Sequence, residues 1–358
     1  MKTIVLTGGG TGGHIIPNIS LLPHLKKHFS KIYYIGTNGL EKELISREKG
    51  VTFVEIKAHK LDRKNKLKNV VLPFQVLKNA CACKKILKTI KPDVIFSKGG
   101  FVSVPVCIAG KMCHIPIVSH ESDMTLGRAN RLIYKLSSKF CTSFDITAKN
   151  LKKGVFTGSP IREQLKNGNK QTGYAITNLD PARPTIMFTG GSTGASDLND
   201  MTQKILPVII KKYNVIHLTG KNKMNRSFKL KNYCQMEFCP NIEHLFAISD
   251  VVVSRAGSNA IYELLFLKKP MLLIPLPKGI SRGDQVDNAK YFEANHFATV
   301  IEQKDLTEKR LIDAIDKLFE NEKKIAETLA SSNQKYFLGA QNICDVILSV
   351  AKNSRNKN

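Results

Sequence analysis

The sequence predicts an α/β protein of two related domains, each a parallel sheet covered by helices. Three observations predict it. The chain has 358 residues, too many for one ordinary hydrophobic core. A segment recurs at half the chain length: TIVLTGGGTGGH at 3–14 and TIMFTGGSTGAS at 185–196. Identical pairs are Thr3/Thr185, Ile4/Ile186, Thr7/Thr189, Gly8/Gly190, Gly9/Gly191, Thr11/Thr193 and Gly12/Gly194, with a constant offset of 182. Around both copies, strand-like runs alternate with amphipathic stretches, the pattern of parallel strands joined by helical crossovers.

Each copy opens with an apolar run, then glycines, then a helix. Ile15–Phe29 carries Ile16, Ile19, Leu22 and Leu25 at helical spacing, and Leu198–Lys212 carries Leu198, Met201, Ile205, Val208 and Ile209 likewise. Further strands are expected at Lys31–Ile35, Thr52–Ile56, Asp93–Ser97, Ile115–Ser119 and Lys139–Thr142. In the second half they are expected at Val215–Thr219, Asp250–Ser254, Met271–Ile274 and Ala298–Ile301. The domain boundary should follow Thr157–Pro160, and the polar stretch Lys166–Arg183, with Gly168, Gly173 and Pro181, reads as a connecting loop. Helices are expected at Leu306–Phe319, Lys323–Asn333 and Ala340–Lys352, followed by a polar tail. Ligands of such sheets sit at the C-terminal ends of the strands.

Composition narrows the partners. There are 55 Lys+Arg against 29 Asp+Glu, a formal charge of +26. That balance favours an anionic partner: nucleic acid, a membrane surface or a phosphorylated substrate. A lysine-rich, asparagine-rich compositional bias accounts for the same excess. No recognition motif or aromatic platform supports nucleic acid, so no nucleic-acid partner is expected. The longest apolar runs, such as Met271–Pro275, fall far short of the roughly 18–20 residues a spanning helix needs. The start shows no apolar leader, so a cytoplasmic location is expected. None of the eight cysteines forms a C-x-x-C pair, and no His spacing completes a zinc site. Reduced, mostly buried thiols are expected, with no metal and no cofactor.

The first glycine loop runs Gly8-Gly9-Gly10-Thr11-Gly12-Gly13-His14. Glycines at a strand–helix junction let backbone N–H groups approach a phosphate. The loop contains G-x-G-x-x-G spacing, but no acid follows the second strand until Glu41, which disfavours a nicotinamide enzyme. No NTPase P-loop is present. His14 suits a base or a donor to a sugar or phosphate oxygen; its counterpart, Ser196, shows that the two loops have specialised differently. Ser97-Lys98-Gly99-Gly100 and His120-Glu121-Ser122-Asp123 follow strands at the same face. His120 and Glu121, being adjacent, should point to opposite sides. In the second half, Ser258 is expected to cap a helix whose N-terminus suits a diphosphate. Glu263, a turn and a half on, suits ribose hydroxyls. Arg282-Gly283-Asp284-Gln285 offers polar groups to a sugar. With no D-x-D in the chain, helix dipoles, amides and basic side chains would have to meet a leaving diphosphate.

Seven segments together resemble the MurG family: TGGGTGGHIIPN (7–18), FSKGGFVSVP (96–105), HESDMTLGRANR (120–131), GSPIR (158–162), TGGSTGA (189–195), SRAGSNAIYE (254–263) and SRGDQVDNA (281–289). The resemblance covers nearly the whole chain and implies the GT-B fold, two Rossmann-like domains around a cleft. It implies domains 1–161, completed by the C-terminal helix 337–352, and 162–336. It also implies transfer of N-acetylglucosamine from UDP-GlcNAc to undecaprenyl-diphospho-MurNAc-pentapeptide (lipid I), giving lipid II. The implied substrate contacts are Thr11, Gly12, Gly13, Asp123, Arg162, Ser192, Cys239, Ser258, Asn259, Ala260, Glu263 and Gln285. At Asp123 many relatives carry Asn, within His-Glu-Gln-Asn. The base is expected to be His14, with Glu121 or Asp123 as rivals. A lipid acceptor calls for a docking surface at the cytoplasmic face of the membrane. The basic, apolar stretch Lys57–Lys91 is the candidate for an anionic leaflet. Other transferases and UDP-GlcNAc epimerases of the same fold are the alternatives.

Overall fold

The computed structural model describes residues 2–59, 70–191, 194–228, 230–331 and 336–355. Ser192 and Thr193 lie outside the described residues, as do Lys60, Arg63, Lys64, Lys66, Leu67 and Lys68 of the basic, apolar stretch Lys57–Lys91. The chain divides into two units, residues 1–161 with 334–358, and residues 162–333.

The first unit runs β1 (Thr3–Thr7), α1 (Gly12–Leu25), β2 (Lys31–Gly36), α2 (Leu40–Ile45), β3 (Val51–Glu55), α3 (Leu72–Ile90), β4 (Val94–Ser97), α4 (Ser103–Met112), β5 (Ile117–Glu121), α5 (Arg128–Leu136), β6 (Lys139–Thr142), α6 (Asp145–Lys149) and β7 (Gly154–Phe156). The second runs α7 (Lys170–Thr177), β8 (Thr185–Thr189), α8 (Ser196–Ile209), β9 (Asn214–Leu218), β10 (Tyr233–Met236), α9 (Ile242–Ile248), β11 (Val251–Ser254), α10 (Ser258–Phe266), β12 (Met271–Leu273), α11 (Asp284–Ala294), β13 (Thr299–Val300), α12 (Glu308–Glu320) and α13 (Glu322–Ser331). The last helix, α14 (Gly339–Arg355), returns to the first unit.

The strand order is β3-β2-β1-β4-β5-β6-β7 in one sheet and β10-β9-β8-β11-β12-β13 in the other. All pairings are parallel. Central strands of such a sheet are covered on both faces and read as unbroken apolar runs. The pleat shows this in β1: Ile4 and Leu6 pack with α1 and with Ile343, Cys344 and Ile347 of α14, whereas Val5 packs with Cys83, Leu87 and Val106 on the other face. In the second unit Phe188, Val215, Val253 and Leu272 form the corresponding core with α8 and α12.

The duplication extends into the hydrogen bonds. The Asp93 carboxylate accepts from Thr3 N–H at 2.7 Å, and the Asp250 carboxylate accepts from Thr185 N–H at 2.8 Å. Both acids precede the strand beside the first one. In each unit this bond satisfies a backbone donor at the foot of a buried strand, where water has no access.

Three expectations need correction. Lys166–Arg183 is not a plain connecting loop: a 3-10 turn spans Glu163–Asn167 and α7 follows. Asn169 caps α7 by accepting from Thr172 N–H at 2.9 Å. Gly168 and Gly173 are contact points rather than hinges, since a Cβ there would lie 2.2 Å from Glu243 O and 2.4 Å from His244 O. Secondly, β5 lies two residues later than expected, which places His120 and Glu121 inside the strand. Thirdly, the edge strands β7 and β10, short and half-buried, gave no apolar run to read.

Asp93→Ala and Asp250→Ala should each lower the unfolding free energy by about 1–3 kcal/mol, the cost of a buried donor left unpaired. Urea unfolding measures this; a loss too small to detect at either position would remove the proposed equivalence of the two bonds.

Candidate active site

The first glycine loop leaves β1 where the strand order reverses between β1 and β4, the place where open α/β sheets bind ligands. A buried polar cage holds it from below. The Tyr34 hydroxyl donates to Gly8 O at 2.7 Å. The Asn18 amide nitrogen lies 3.2 Å from that hydroxyl and 3.3 Å from the carbonyls of Thr7 and His14. Burial pushes the Tyr34 phenol well above its usual range, so it stays a donor. On the other side, Glu41 is turned inward, 1% exposed, and accepts from the N–H and hydroxyl of Thr37. A Cβ on Gly9 would lie 2.7 Å from its carboxylate.

His14 stands half-buried in the first turn of α1. Its Nδ1 lies 3.0 Å from the Thr11 hydroxyl. Gly100 passes beneath the ring with φ of 82°; a Cβ there would lie 3.5 Å from the His14 Cγ and Nδ1 and 2.5 Å from Gly9 O. Gly100 therefore lets the loop after β4 pass close against Gly9 beside the imidazole. Thr11, Gly12 and Gly13 face outward around it, exposed or half-buried.

His120 and Glu121 diverge, as adjacent strand residues must. His120 donates through Nε2 to Gly158 O at 3.1 Å. Burial, then the nearby Lys98, hold its pKa well below the usual value, so it is neutral. The Glu121 carboxylate accepts from the N–H groups of Ser122, Asp123 and Gly127 at 3.0, 3.2 and 2.9 Å and from the Asn130 amide at 3.0 Å. It is a loop anchor, and Asp123 sits on the turn it anchors.

In the second unit the corresponding switch lies between β8 and β11. Gly191 and Gly194 have φ of 81° and 66°, and a Cβ on Gly194 would meet Thr219 O at 2.0 Å, so the second loop demands glycine there. Helix α10 starts at Ser258 with Gly257 as its cap, so Ser258 is the first helical residue. This corrects the expected Ser258 cap. Ser258, Asn259 and Ala260 form the first turn, and Glu263 lies in the second. The structure joins two residues that the sequence treated separately: Arg162 donates from Nε and a terminal nitrogen to the two Glu263 oxygens at 3.0 and 3.2 Å. This forked pairing is the strong, oriented form of an ion pair. Gln285, in the first turn of α11, accepts from Leu276 N–H at 3.0 Å through its carbonyl, which orients the amide. Cys239 is buried, and burial pushes its thiol up. Phe238 beside it is exposed.

One residue escaped the sequence reading. Arg255, 5% exposed, donates to Ile274 O at 3.1 Å and to the Gln303 side chain at 2.8 Å. Gln303 in turn donates to Asp197, in the first turn of α8, at 2.6 Å. Arg255 thus ties the end of β11 to the helix that follows the second glycine loop. In sequence it was one more residue of a βα turn, and its side-chain partners, Gln303 and Asp197, lie 48 and 58 positions away.

Among the described residues, no group of three or more His, Cys, Asp or Glu is placed to hold a metal, and no helix is long and apolar enough to cross a membrane.

Two parallel sheets, each with a glycine loop and a helix N-terminus at its switch point, define a protein of the GT-B fold class. Residues 4–142 match the glycosyltransferase family 28 N-terminal domain, and residues 185–343 match the family 28 C-terminal domain. The chain belongs to this family, and within it to the MurG group. It is 44% identical to the UDP-N-acetylglucosamine--N-acetylmuramyl-(pentapeptide) pyrophosphoryl-undecaprenol N-acetylglucosamine transferase of Clostridium tetani, covering 97% of each chain. It is 45% identical to the transferase of the same name from Lachnospira eligens, covering 99% of each. The crystal structure of Acinetobacter baumannii MurG superposes with a TM-score of 0.76 over 98% of this chain and all of that one, at 21% identity.

Gly100→Ala should cost upward of about 1–2 kcal/mol, because the alanine must hold a left-handed conformation with its Cβ 2.5 Å from Gly9 O, and should shift the glycine loop that carries His14. Urea unfolding and the imidazole signals in NMR read both effects; His14 signals that do not move would contradict the contact.

Proposed function

We propose that this chain moves N-acetylglucosamine from UDP-GlcNAc to the C4 hydroxyl of lipid I, releasing UDP and forming lipid II with inversion at C1. The observation that carries this reading is the near-full-length likeness to transferases named for that reaction. The site geometry gives it a mechanism.

The acceptor C4 oxygen forms a bond to C1 of GlcNAc while the bond from C1 to the UDP oxygen breaks, through an oxocarbenium-like state. The hydroxyl proton goes to a base, for which we assign His14. Contact of Nδ1 with the Thr11 hydroxyl and support from Gly100 orient the ring, so that Nε2 takes the proton. Glu121 is a poor rival, since four donors already occupy its carboxylate. We assign it to holding Asp123, with Thr11, Gly12 and Gly13, against the reacting sugar.

The second unit holds the donor. The N-terminus of α10, at Ser258, Asn259 and Ala260, meets the diphosphate with the positive end of its dipole, together with the loop at Ser192. Glu263 keeps acceptor capacity for ribose hydroxyls while bound by Arg162, because a carboxylate offers about four lone-pair sites. Backbone at Cys239 receives uracil, and Gln285 reads the sugar hydroxyls.

The lipid acceptor is met at the cytoplasmic face of the membrane by the start of α3. Its inner face, Ala80, Cys83 and Leu87, is buried. Its outer face carries Phe74, Leu77, Lys78, Lys85 and Lys88, all exposed, with Val70 and Val71 just before it. Exposed apolar side chains followed by lysines on one helix face suit insertion into an anionic leaflet. This divides the basic segment into a core face and a docking face. Leu87 belongs to the core, and no nucleic-acid role is assigned to the lysines.

His14→Ala should lower kcat by about 10²- to 10⁴-fold with the KM for UDP-GlcNAc little changed; near-full turnover at neutral pH would remove His14 as the base. Phe74→Glu with Leu77→Glu should weaken binding to vesicles containing anionic lipid while a short-chain, soluble acceptor is still turned over. Equal loss of both would count against docking through α3.

A further inference from the structure

The mechanism above makes no use of the buried charge of Lys98. Lys98 is the first residue after β4 and is 2% exposed. Its N–H donates to Thr7 O at 2.9 Å, and its Cβ lies 3.2 Å from where a Cβ on Gly8 would stand. Its root is therefore built into the base of the first glycine loop. Its ammonium reaches the other way, to the Ser122 hydroxyl at 2.5 Å. Ser122 lies in the turn that Glu121 anchors and that carries Asp123. One side chain thus links the loop bearing His14 to the turn bearing Asp123.

We infer that Lys98 is a positioning residue for the transfer reaction: its charged ammonium ties the Ser122–Asp123 turn to the first glycine loop, and turnover requires that tie. The inference rests on the reading of the chain as a GlcNAc transferase.

The charges around Lys98 favour the role. From β5 and its turn it faces Glu121, Asp123 and the neutral His120. On its own strand Ser97 is engaged by Gly99 N–H, and beyond the glycine loop Glu41 is engaged by Thr37. His14 stands over Gly100 with Thr11. Two carboxylates thus share one buried cation. Burial lowers the Lys98 pKa to about 8, against the pull of Glu121 and then Asp123. Once the amine is neutral, the turn that Glu121 holds loses the positive charge that draws both carboxylates toward the end of β4.

The sign of the linked stability is opposite to that of activity. Between the folded pKa and the unfolded one of about 10.4, the unfolded chain holds a proton that the native state lacks. This group's contribution to stability therefore rises with pH across that window, while activity falls. Alkaline unfolding would move both the same way.

The test uses the full-length protein, Lys98→Arg and Lys98→Met. The profile of kcat/KM for the lipid acceptor is followed from about pH 6 to about pH 10, beside urea midpoints. The wild type should lose activity above about pH 8 without losing urea resistance. Lys98→Arg, which stays charged throughout, should lose that break. Lys98→Met should fall roughly 10- to 100-fold in kcat at neutral pH, with the KM for UDP-GlcNAc little changed. A break retained in Lys98→Arg, or full turnover by Lys98→Met, overturns the inference. If the arginine does not fit the site, NMR of lysine-labelled protein decides: the signal missing in Lys98→Met should titrate together with the Ser122 and Asp123 amides. A signal that stays charged to about pH 10, or amides that do not follow it, overturns it equally. A wild type that transfers no GlcNAc overturns the functional reading; the NMR arm still decides whether Lys98 controls the turn.

Discussion

The structure depends on how a glycine loop is held at the end of a buried parallel strand. Such a loop must keep its outer N–H groups for a ligand, yet its inner carbonyls lie where water cannot reach them. Side chains below have to satisfy them. In the first unit Asn18 of α1 and Tyr34 of β2 do this, with the Tyr34 hydroxyl on Gly8 O. In the second unit the polar pair lies beside the loop rather than on its carbonyls: Asn199 of α8 donates to Thr219 O, after β9, at 2.9 Å and accepts from His217 of β9 at 3.0 Å. Leu6 pairs with Tyr34 and Phe188 pairs with His217, and positions 6 and 188 keep the offset of 182 found in the glycine loops. The same site on the second strand thus supplies the polar group in both units, as a phenol in one and an imidazole in the other. Burial lowers His217 to about 4 and keeps it neutral, as burial also keeps the Tyr34 phenol protonated.

The two loops themselves diverge: the residue after the glycines is His14 in one copy and Ser196 in the other. The neighbouring strand ends diverge too. After β4 comes the buried Lys98, a glycine pair and the ring of Phe101 against Gly10. After β11 comes Arg255, which clamps the start of α8 through Gln303 and Asp197. Each unit therefore buries one cation beside its glycine loop. The first cation addresses two carboxylates at the site's edge, and the second addresses a helix start. Burying a charge is costly unless it is paired and hydrogen-bonded, so each constrains the geometry of what surrounds it.

The reading of the sequence succeeded and failed for identifiable reasons. Interior strands were legible because both their faces are buried, which leaves unbroken apolar runs such as Val251–Ser254. The edge strands β7 and β10 lack that signal. Gly168 and Gly173 suggested a flexible linker because an isolated sequence does not separate a glycine that bends from one that permits contact; the nearby carbonyls of Glu243 and His244 settle it. The buried face of α1 was legible only in part: Leu22 and Leu25 are buried, Ile16 and Ile19 are half-buried, and Ile15, Asn18 and Leu21 widen the buried face. The pattern rule counts only apolar residues and passes over a buried amide.

By itself the sequence determined the two-sheet architecture, the duplication and the residues at the strand ends, because these follow from local periodicity and from what glycine allows the backbone. Only the tertiary structure decided what those residues do to one another. It gave the Glu121 carboxylate four donors, joined Arg162 to Glu263 across 101 positions, and brought Gly100 close to His14. It also showed Lys98 and Arg255 to be buried. Such pairings arise from the crossovers of a parallel sheet, which bring together strand ends far apart in the chain, and no local pattern of residues encodes which side chains will meet there.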